Sequence, residues 1–345
     1  MKARRPSVLF VSALLASLAI GIPAGTATAS DQDGEHEHGN SFSFAVIGDI
    51  PYGAAQIAGF PKVVQQINDD RQVRLVAHLG DIKDGSSVCS DEYFAQVKAQ
   101  FDQFADPLVY TIGDNEWTDC HRPSNGGYDP LERLARIRSV FFPWPGYTLG
   151  MQPAKVTSQA AQGIPEDVRF SRAGVAFAAL HIVGSNNSLA PWTGKTGPTP
   201  EQSAEVLGRT AAVIQNIHDT FTQAREDHDK AVVLLTQADM FDPTVAGASF
   251  ADYFAFQPIV QAIARESAGF RGPVYLFNGD SHVYNDDQPL AAGSRWLSFY
   301  GVGESVGNLT RVTIDGSTKV NNYLRVTIDP RNRAGLSWTR VPFTP

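Results

Sequence analysis

The strongest constraint on this chain is a repeated device, an apolar run of strand length that halts at Gly-Asp. FAVIGD ends at Asp49, LVAHLGD at Asp81, LVYTIGD at Asp114 and VYLFNGD at Asp280. In α/β folds helices cover the sheet faces, so ligands reach the open C-terminal ends of the strands. Glycine at each halt lets the backbone approach its neighbours closely. Carboxylates delivered from four strand ends into one crevice repel one another unless a cation lies between them, so the pattern predicts a metal centre. A plainer reading makes Gly-Asp a good strand-closing turn, with Asp capping the next helix. That accounts for one or two instances, whereas four of them with His282 close behind Asp280 favour a shared site.

The sequence between these halts alternates strand and helix patterns. Strands are expected at Phe42–Ile47, Leu75–Leu79 and Leu108–Ile112, and helices at Phe60–Asp70, Asp91–Phe104 and Asp129–Phe141, where apolar residues recur at helical spacing. This β-α-β-α-β order predicts neighbouring, mostly parallel strands with right-handed crossovers. The aromatic, proline-rich FFPWPGYTLGMQP that follows predicts an irregular surface loop or lid near the site. Val168–Ser171 and Val175–Val183 read as a hairpin ending in Gly184-Ser185-Asn186-Asn187. A helix over Glu201–Asp227, a strand over Ala231–Thr236 ending at Gln237, a helix over Ala251–Ser267 and a strand over Val274–Phe277 complete the alternation. From Arg295 onward, RWLSFYGV, LTRVTID, YLRVTIDP and GLSWTRV alternate with period two and predict antiparallel strands that complete a second sheet. No fixed-period repeat or long linker divides residues 42–345, which are expected to form a single domain.

Composition bears on compartment and partner. Lys2, Arg4 and Arg5 precede the apolar run Val8–Ile22, and Ala27-Thr28-Ala29 resembles a cleavage site, so residues 1–29 read as a secretory signal and the protein as secreted. Residues 30–41 read as a disordered polar leader, in which His36 and His38 are solvated. Beyond the signal no stretch is long and apolar enough to span a bilayer, so no membrane anchor is expected after cleavage. Losing three cations takes the formal charge from -8 to -11, which argues against nucleic acid as a partner. In an exported chain the two cysteines, Cys89 and Cys120, predict one disulfide. Each lies a few residues past a Gly-Asp halt, so the bridge would staple two site loops together.

The order and spacing of these blocks resemble the calcineurin-like metallophosphoesterases, the superfamily that includes purple acid phosphatases. Its blocks run D-x-H, G-D-x-x-D, G-N-H-[DE], a strand-end His and G-H-x-H. Here stand Asp49-Ile50-Pro51, Gly80-Asp81-Ile82-Lys83-Asp84, Gly113-Asp114-Asn115-Glu116, Gln237 and Gly279-Asp280-Ser281-His282. The resemblance covers roughly residues 42 to 300. It implies an α/β fold, a metallophosphoesterase-like sandwich of two mixed β-sheets flanked by helices. It also implies one ion held by Asp49, Asp81 and His282 and another by Asp81, Asp114, Gln237 and Asp280. Pro51, Asp114, Gln237 and Asp280 depart from the family's ligand types, and Asn115 stands where the family places the His that protonates the leaving group. Exchanging imidazole for carboxylate and amide oxygen favours Mg, Ca or Mn over Zn or Fe, in a centre of one or two divalent ions.

Asn115 does not titrate, so His121 in the same loop is a candidate replacement acid and Arg122 a candidate phosphate clamp; ordinary solvated loop residues are the alternative for both. His78 and His181 lie in apolar runs and read as hydrogen-bonded interior residues rather than ligands. Glu116 and Trp117 are expected to build the wall behind the ligands. The leading expectation is a secreted metal-dependent hydrolase of a small phosphomonoester or phosphodiester. A non-catalytic metal- or ligand-binding relative of the same fold comes second. Third is an extracellular carbohydrate-binding or adhesion protein using the aromatic segment Phe141 to Tyr147.

Overall fold

In the computed structural model, residues 41–245, 247, 249–317, 320–329 and 335–344 are described. The expected signal and, apart from Ser41, the polar leader with His36 and His38 lie outside the described residues. β1 (Phe42–Ile47), β2 (Val73–His78) and β3 (Leu108–Tyr110) run parallel in that order, with α1 (Gly53–Asp69) and α2 (Asp91–Phe101) as crossovers and α3 (Pro130–Phe141) following. Helix α1 begins at Gly53 rather than the expected Phe60. Its first turns, GAAQIAGFP, are too rich in Gly and Pro to read as helix. Burial of Phe60, Val64 and Ile67 on one face, with Gln56 Oε1 accepting the Tyr52 N–H at 2.6 Å, overrides that weak propensity.

The second sheet contains β4 (Thr157–Gln159), β5 (Ile164–Arg172), β6 (Val175–Ala179), β7 (Ala231–Leu235), β8 (Val274–Asn278), β9 (Asn285–Asp287) and β10 (Leu309–Thr313), in the order β4-β5-β6-β7-β8-β10-β9. Strands β6, β7, β8 and β10 are mutually parallel, and the two edges are closed by antiparallel pairs. The expected hairpin is β5–β6.

Side-chain alternation builds the layers. On β1, Phe44 and Val46 point between the sheets and meet Phe177, Val233, Leu235 and Phe277 of the second sheet. Ala45 and Ile47 point the other way, into a core with Phe60, Val64, Phe94 and Phe101 of α1 and α2. On the far side, Val232 and Leu234 pack under the helices Pro200–Glu226 and Gln257–Ala268. Each fully buried aromatic or aliphatic side chain of this kind contributes roughly 1.5–3 kcal/mol, so continuous inward rows hold the two sheets together.

Several expectations are corrected. Within RWLSFYGV, Arg295–Phe299 is a short helix capped by Ser294 rather than a strand, because Trp296 and Tyr300 fall on its buried side. The C-terminal strands do not together complete the second sheet. Strand β10 inserts parallel to β8, whereas β11 (Asn322–Ile328) and β12 (Leu336–Pro342) extend the first sheet, with Phe44 opposite Val326. Period-two alternation tells which residues face a core, not which sheet a strand joins. The expected helix over Ala251–Ser267 is two 3-10 turns, Phe250–Asp252 and Phe254–Phe256, before a helix over Gln257–Ala268. Pro258 suits the first turn of a helix and not its interior. The aromatic segment after α3 is not a lid. Leu149 bridges Leu108 at the start of β3 and the Met151 N–H bonds to Phe104 O at 2.8 Å, which places the segment at the strand end opposite Asp114.

Two interior histidines are buried as expected. His78 Nε2 donates to Ile50 O at 2.8 Å, and His181 Nδ1 donates to Glu166 Oε1 at 2.7 Å. Burial pulls both imidazoles down to about 4 from 6.5. The unfolded chain therefore takes up protons near 6.5 while the folded chain stays neutral until about 4. Stability is complete above pH 6.5 and is lost as pH falls toward 4, by on the order of 3 kcal/mol per histidine. Thermal melts across this window should show a falling midpoint with a shallower slope in His78→Gln; a flat wild-type profile contradicts the assignment.

Candidate metal centre

Parallel strands end on a common edge, and both sheets bring that edge to one crevice. Asp49 follows β1, Asp81 follows β2, Asp114 follows β3, Gln237 follows β7, and Asp280 and His282 follow β8. Hydrogen bonds to Asp49 tie the loops together there: Asp280 N–H donates to the Asp49 side-chain Oδ1 at 3.1 Å, and Ser317 N–H to the Asp49 backbone O at 2.9 Å. Asp49, Asp81, Asp280 and His282 have left-handed φ of 53°, 53°, 72° and 62°. That conformation costs an ordinary residue roughly 1–2 kcal/mol and collects at functional sites. Glycine is required beside it. A Cβ on Gly113 would lie 2.1 Å from Asp81 Oδ1, and one on Gly279 would lie 2.2 Å from Asp49 Oδ2.

Two donor sets result. Asp49, Asp81 and His282 place one ligand atom each within 4.8 Å of one another, and so do Asp81, Asp114 and Asp280. Asp81 belongs to both. The donor chemistry fits a divalent cation: buried carboxylates crowd together with one imidazole, and His282, with 35% of its side chain exposed, leaves the crevice open. Burial and the charges of Asp114, Glu116, Asp49 and Asp280 push the Asp81 carboxyl well above its usual range. Burial, then Asp114 and Asp49, do the same to Asp280. Burial also raises Asp49, against the opposing hydrogen bond and charge of His282. Burial works against the His282 imidazolium, but its contact with Asp49 at 3.1 Å wins and its pKa rises. A cation between these groups relieves all of these costs together.

Around the ligand atoms the structure supplies groups that sequence reading missed. Tyr52, next to the Pro51 that cannot bind metal, donates its hydroxyl to Asp81 Oδ2 at 3.1 Å and lies 3.4 Å from His282 Nε2. An aromatic hydroxyl adjoining an absent ligand was the available signal. Asn115 does not face outward: its Nδ2 donates to Asp81 Oδ2 at 2.7 Å and to Tyr52 Oη at 3.2 Å. Gln237 reaches the cluster with nitrogen rather than the expected oxygen. Gly184 N–H donates to its Oε1 at 2.8 Å, leaving Nε2 to donate to Asp81 Oδ2 and Asp114 Oδ1, each at 3.3 Å.

Ser185, in a left-handed run with Asn186, Asn187 and Ser188, puts its Oγ 3.0 Å from Asp114 Oδ2 and 3.1 Å from Asp119 Oδ1. Buried Arg209 holds that run by donating to Asn187 O and His181 O, each at 3.0 Å. Lys83, fully buried, donates to Asn115 O at 2.7 Å and brings a cation beneath the acids. On the far side Arg311 pairs with Asp239 at 2.6 Å, and Asp239 accepts from Ser281 Oγ at 2.8 Å, bracing the loop between Asp280 and His282.

The remaining expected residues divide. Arg122 pairs with Asp119 Oδ2 at 2.7 Å while 43% of its side chain stays exposed, close to the cluster through Ser185. His121 is engaged elsewhere: its Nδ1 takes the Thr193 N–H at 2.9 Å and its ring faces Trp192. Burial and the neighbouring Arg122 charge lower its pKa. Glu116 accepts from Gly113 N–H at 2.6 Å and from Tyr110 Oη at 2.7 Å, and burial lifts it to about 7. Trp117 is fully buried against His181. Together they wall the site. Cys89 and Cys120 form the expected disulfide, Cα–Cα 5.9 Å, joining the segments that follow Asp81 and Asp114.

Residues 42–172 match the family model of the calcineurin-like phosphoesterases, and the two helix-flanked sheets form the α/β sandwich of metallophosphoesterases. No curated protein matches this chain. Among solved structures, the chain is similar to GAP50, the anchor in the inner membrane complex of Plasmodium, at 9% identity and a TM-score of 0.43, covering 88% of this chain and 90% of that one.

Metal binding is measurable without turnover. In chelated protein, a divalent ion at a hundredfold excess over its Kd should raise the unfolding free energy by about 2.7 kcal/mol. Asp81→Asn should abolish that response, since both donor sets lose their shared ligand. No thermal shift with any of Mg, Ca, Mn or Zn contradicts a metal centre.

Proposed function

We propose that this protein is an exported, metal-dependent phosphoesterase acting on a small phosphomonoester or phosphodiester. The observation that carries the reading is the pair of donor sets sharing Asp81, in a chain matching the calcineurin-like phosphoesterases over residues 42–172. Asp49, Asp81 and His282 would hold one ion, and Asp81, Asp114 and Asp280 the second, with Gln237 steadying Asp81 and Asp114. The largely oxygen donor set favours Mn, Mg or Ca over Zn or Fe. When bound, the ions supply Lewis acidity and neutralise charge developing on phosphoryl oxygens.

The chain's own residues do the rest. The guanidinium of Arg122, tethered to Asp119, would clamp a phosphoryl oxygen. Tyr52 and the Asn115 side chain orient Asp81 by donating to Oδ2, and the Asn115 N–H donates to Oδ1 at 3.1 Å, so both oxygens are held in place toward the cluster. Asn115 has no titratable proton to give, so turnover should favour esters whose alcohol leaves without protonation. The Cys89–Cys120 disulfide supports an oxidising compartment, and no described helix is long and apolar enough to cross a membrane. A net charge of -8 supports a small substrate over nucleic acid.

One observation favours a second reading, a non-catalytic metal- or ligand-binding protein of this fold. Asp81 Oδ2 accepts from Tyr52, Asn115 and Gln237, so protein donors satisfy part of what an ion would. Hydrolysis separates the two. Chelated protein resupplied with Mn or Mg should cleave an aryl phosphomonoester or diester faster than protein resupplied with Zn, and Asp81→Ala should lower kcat by about a hundredfold or more. Stabilisation by metal with no hydrolysis of either ester supports the second reading.

A further inference from the structure

A groove that shares Ser185 with the surround of the crevice points to the chemistry of the alcohol portion of the ester. A cavity of about 410 Å³ is lined by Ser185, Leu189, Pro191, Pro198, Ala251 and Phe254, among others. Ser185 borders both, since it lines the groove and its Oγ lies 3.0 Å from Asp114 Oδ2. The volume falls within the range that accommodates a bicyclic aryl group. Both walls are anchored. The wall containing Pro191 is held where His121 Nδ1 takes the Thr193 N–H at 2.9 Å. The opposite wall is held where Ala255 N–H donates to Asn186 Oδ1 at 3.0 Å.

We infer that this groove receives the alcohol moiety of the substrate, and that the substrate is an aryl or comparably apolar phosphoester rather than a polyphosphate or a sugar phosphate. The inference rests on the phosphoesterase reading and specifies its substrate class. Three observations carry it. Ser185 lies between the carboxylates and the groove, so an ester whose phosphoryl group lies at the carboxylates would extend its alcohol past Ser185 toward the groove. Among the described residues lining the groove there is no Lys or Arg, and Asp252 adds a carboxylate, so a second phosphate inside the groove would find no counter-charge in its lining. Phe254 on its wall and nearby Phe250 leave 43% and 42% of their surfaces to solvent, an apolar area that an aromatic ring would cover. The chemistry of Asn115 agrees independently: without a proton donor at that position, aryl oxides, which leave unprotonated far more readily than alkoxides, are the esters the site could cleave.

Non-hydrolysable phosphonates test this by equilibrium binding to manganese-loaded protein, with methylphosphonate as the bare anion and (1-naphthylmethyl)phosphonate as its aryl extension. The aryl compound should bind about tenfold more tightly or better in wild type. Phe254→Ala, which removes the exposed ring, and Ala251→Trp, which fills the groove, should each bring its affinity down to that of methylphosphonate while leaving methylphosphonate affinity unchanged. Equal affinities in wild type, or an aryl preference that survives both substitutions, overturns the groove assignment while leaving the phosphoesterase reading intact. Failure of both phosphonates to bind wild type removes the phosphoesterase reading and this inference with it.

Discussion

Repulsion among buried carboxylates is the constraint on which this molecule turns. Asp49, Asp81, Asp114 and Asp280 reach one crevice from two sheets, and burial raises the pKa values of three of them. Such a cluster is costly in the folded state, since each additional anion makes the next harder to ionise. The fold nonetheless drives four residues into it or its edge with left-handed backbone, including His282, and places glycines where any side chain would collide with the acids. Local strain and local charge are compensated by the core between the sheets, where Phe44, Phe177 and Phe277 interlock.

A graded surround manages that charge. Lys83 sits beneath the acids, and Tyr52, Asn115 and Gln237 direct their donors at Asp81. Asp119 forms an outer carboxylate, raised to about 7 by burial and by Asp114, and hands its charge to Arg122. These groups make the crevice a polarised cup with neutral donors on one side and an exposed cation at the rim. The same arrangement explains why the substitutions Pro51 and Asn115 do not leave gaps. Tyr52 lies beside His282 where a ligand histidine is missing, and Asn115 binds inward instead of facing solvent.

The strand ends were legible in the sequence because their signal is local: an apolar run, a glycine and an acid. Asp49, Asp81, Asp114, Asp280 and His282 are brought together as that pattern requires, and the cysteine pair joins the loops it was expected to join. What escaped reading depends on distant contacts. Ser185 belongs to the site because Arg209 holds its turn against Asp114, a relation no spacing encodes. The amide of Gln237 is oriented by Gly184 N–H, which reverses the atom it shows to the cluster. Alternation in β11 marked a buried face correctly but was silent about the sheet, since the core between the sheets accepts apolar rows from either one. The aromatic segment after α3 read as a surface loop or lid near the site; it is a surface loop, but its backbone bonds to Leu108 and Phe104 tie it to the other end of β3.

The claim beneath everything else is that a cation resolves the carboxylate cluster, and locating that cation tests it most directly. Anomalous diffraction from crystals grown with manganese should show a peak at coordination distance from Asp81, flanked by Asp49 and His282 or by Asp114 and Asp280. An ordered crevice without a peak in saturating manganese, or a peak only at surface carboxylates, would contradict the account.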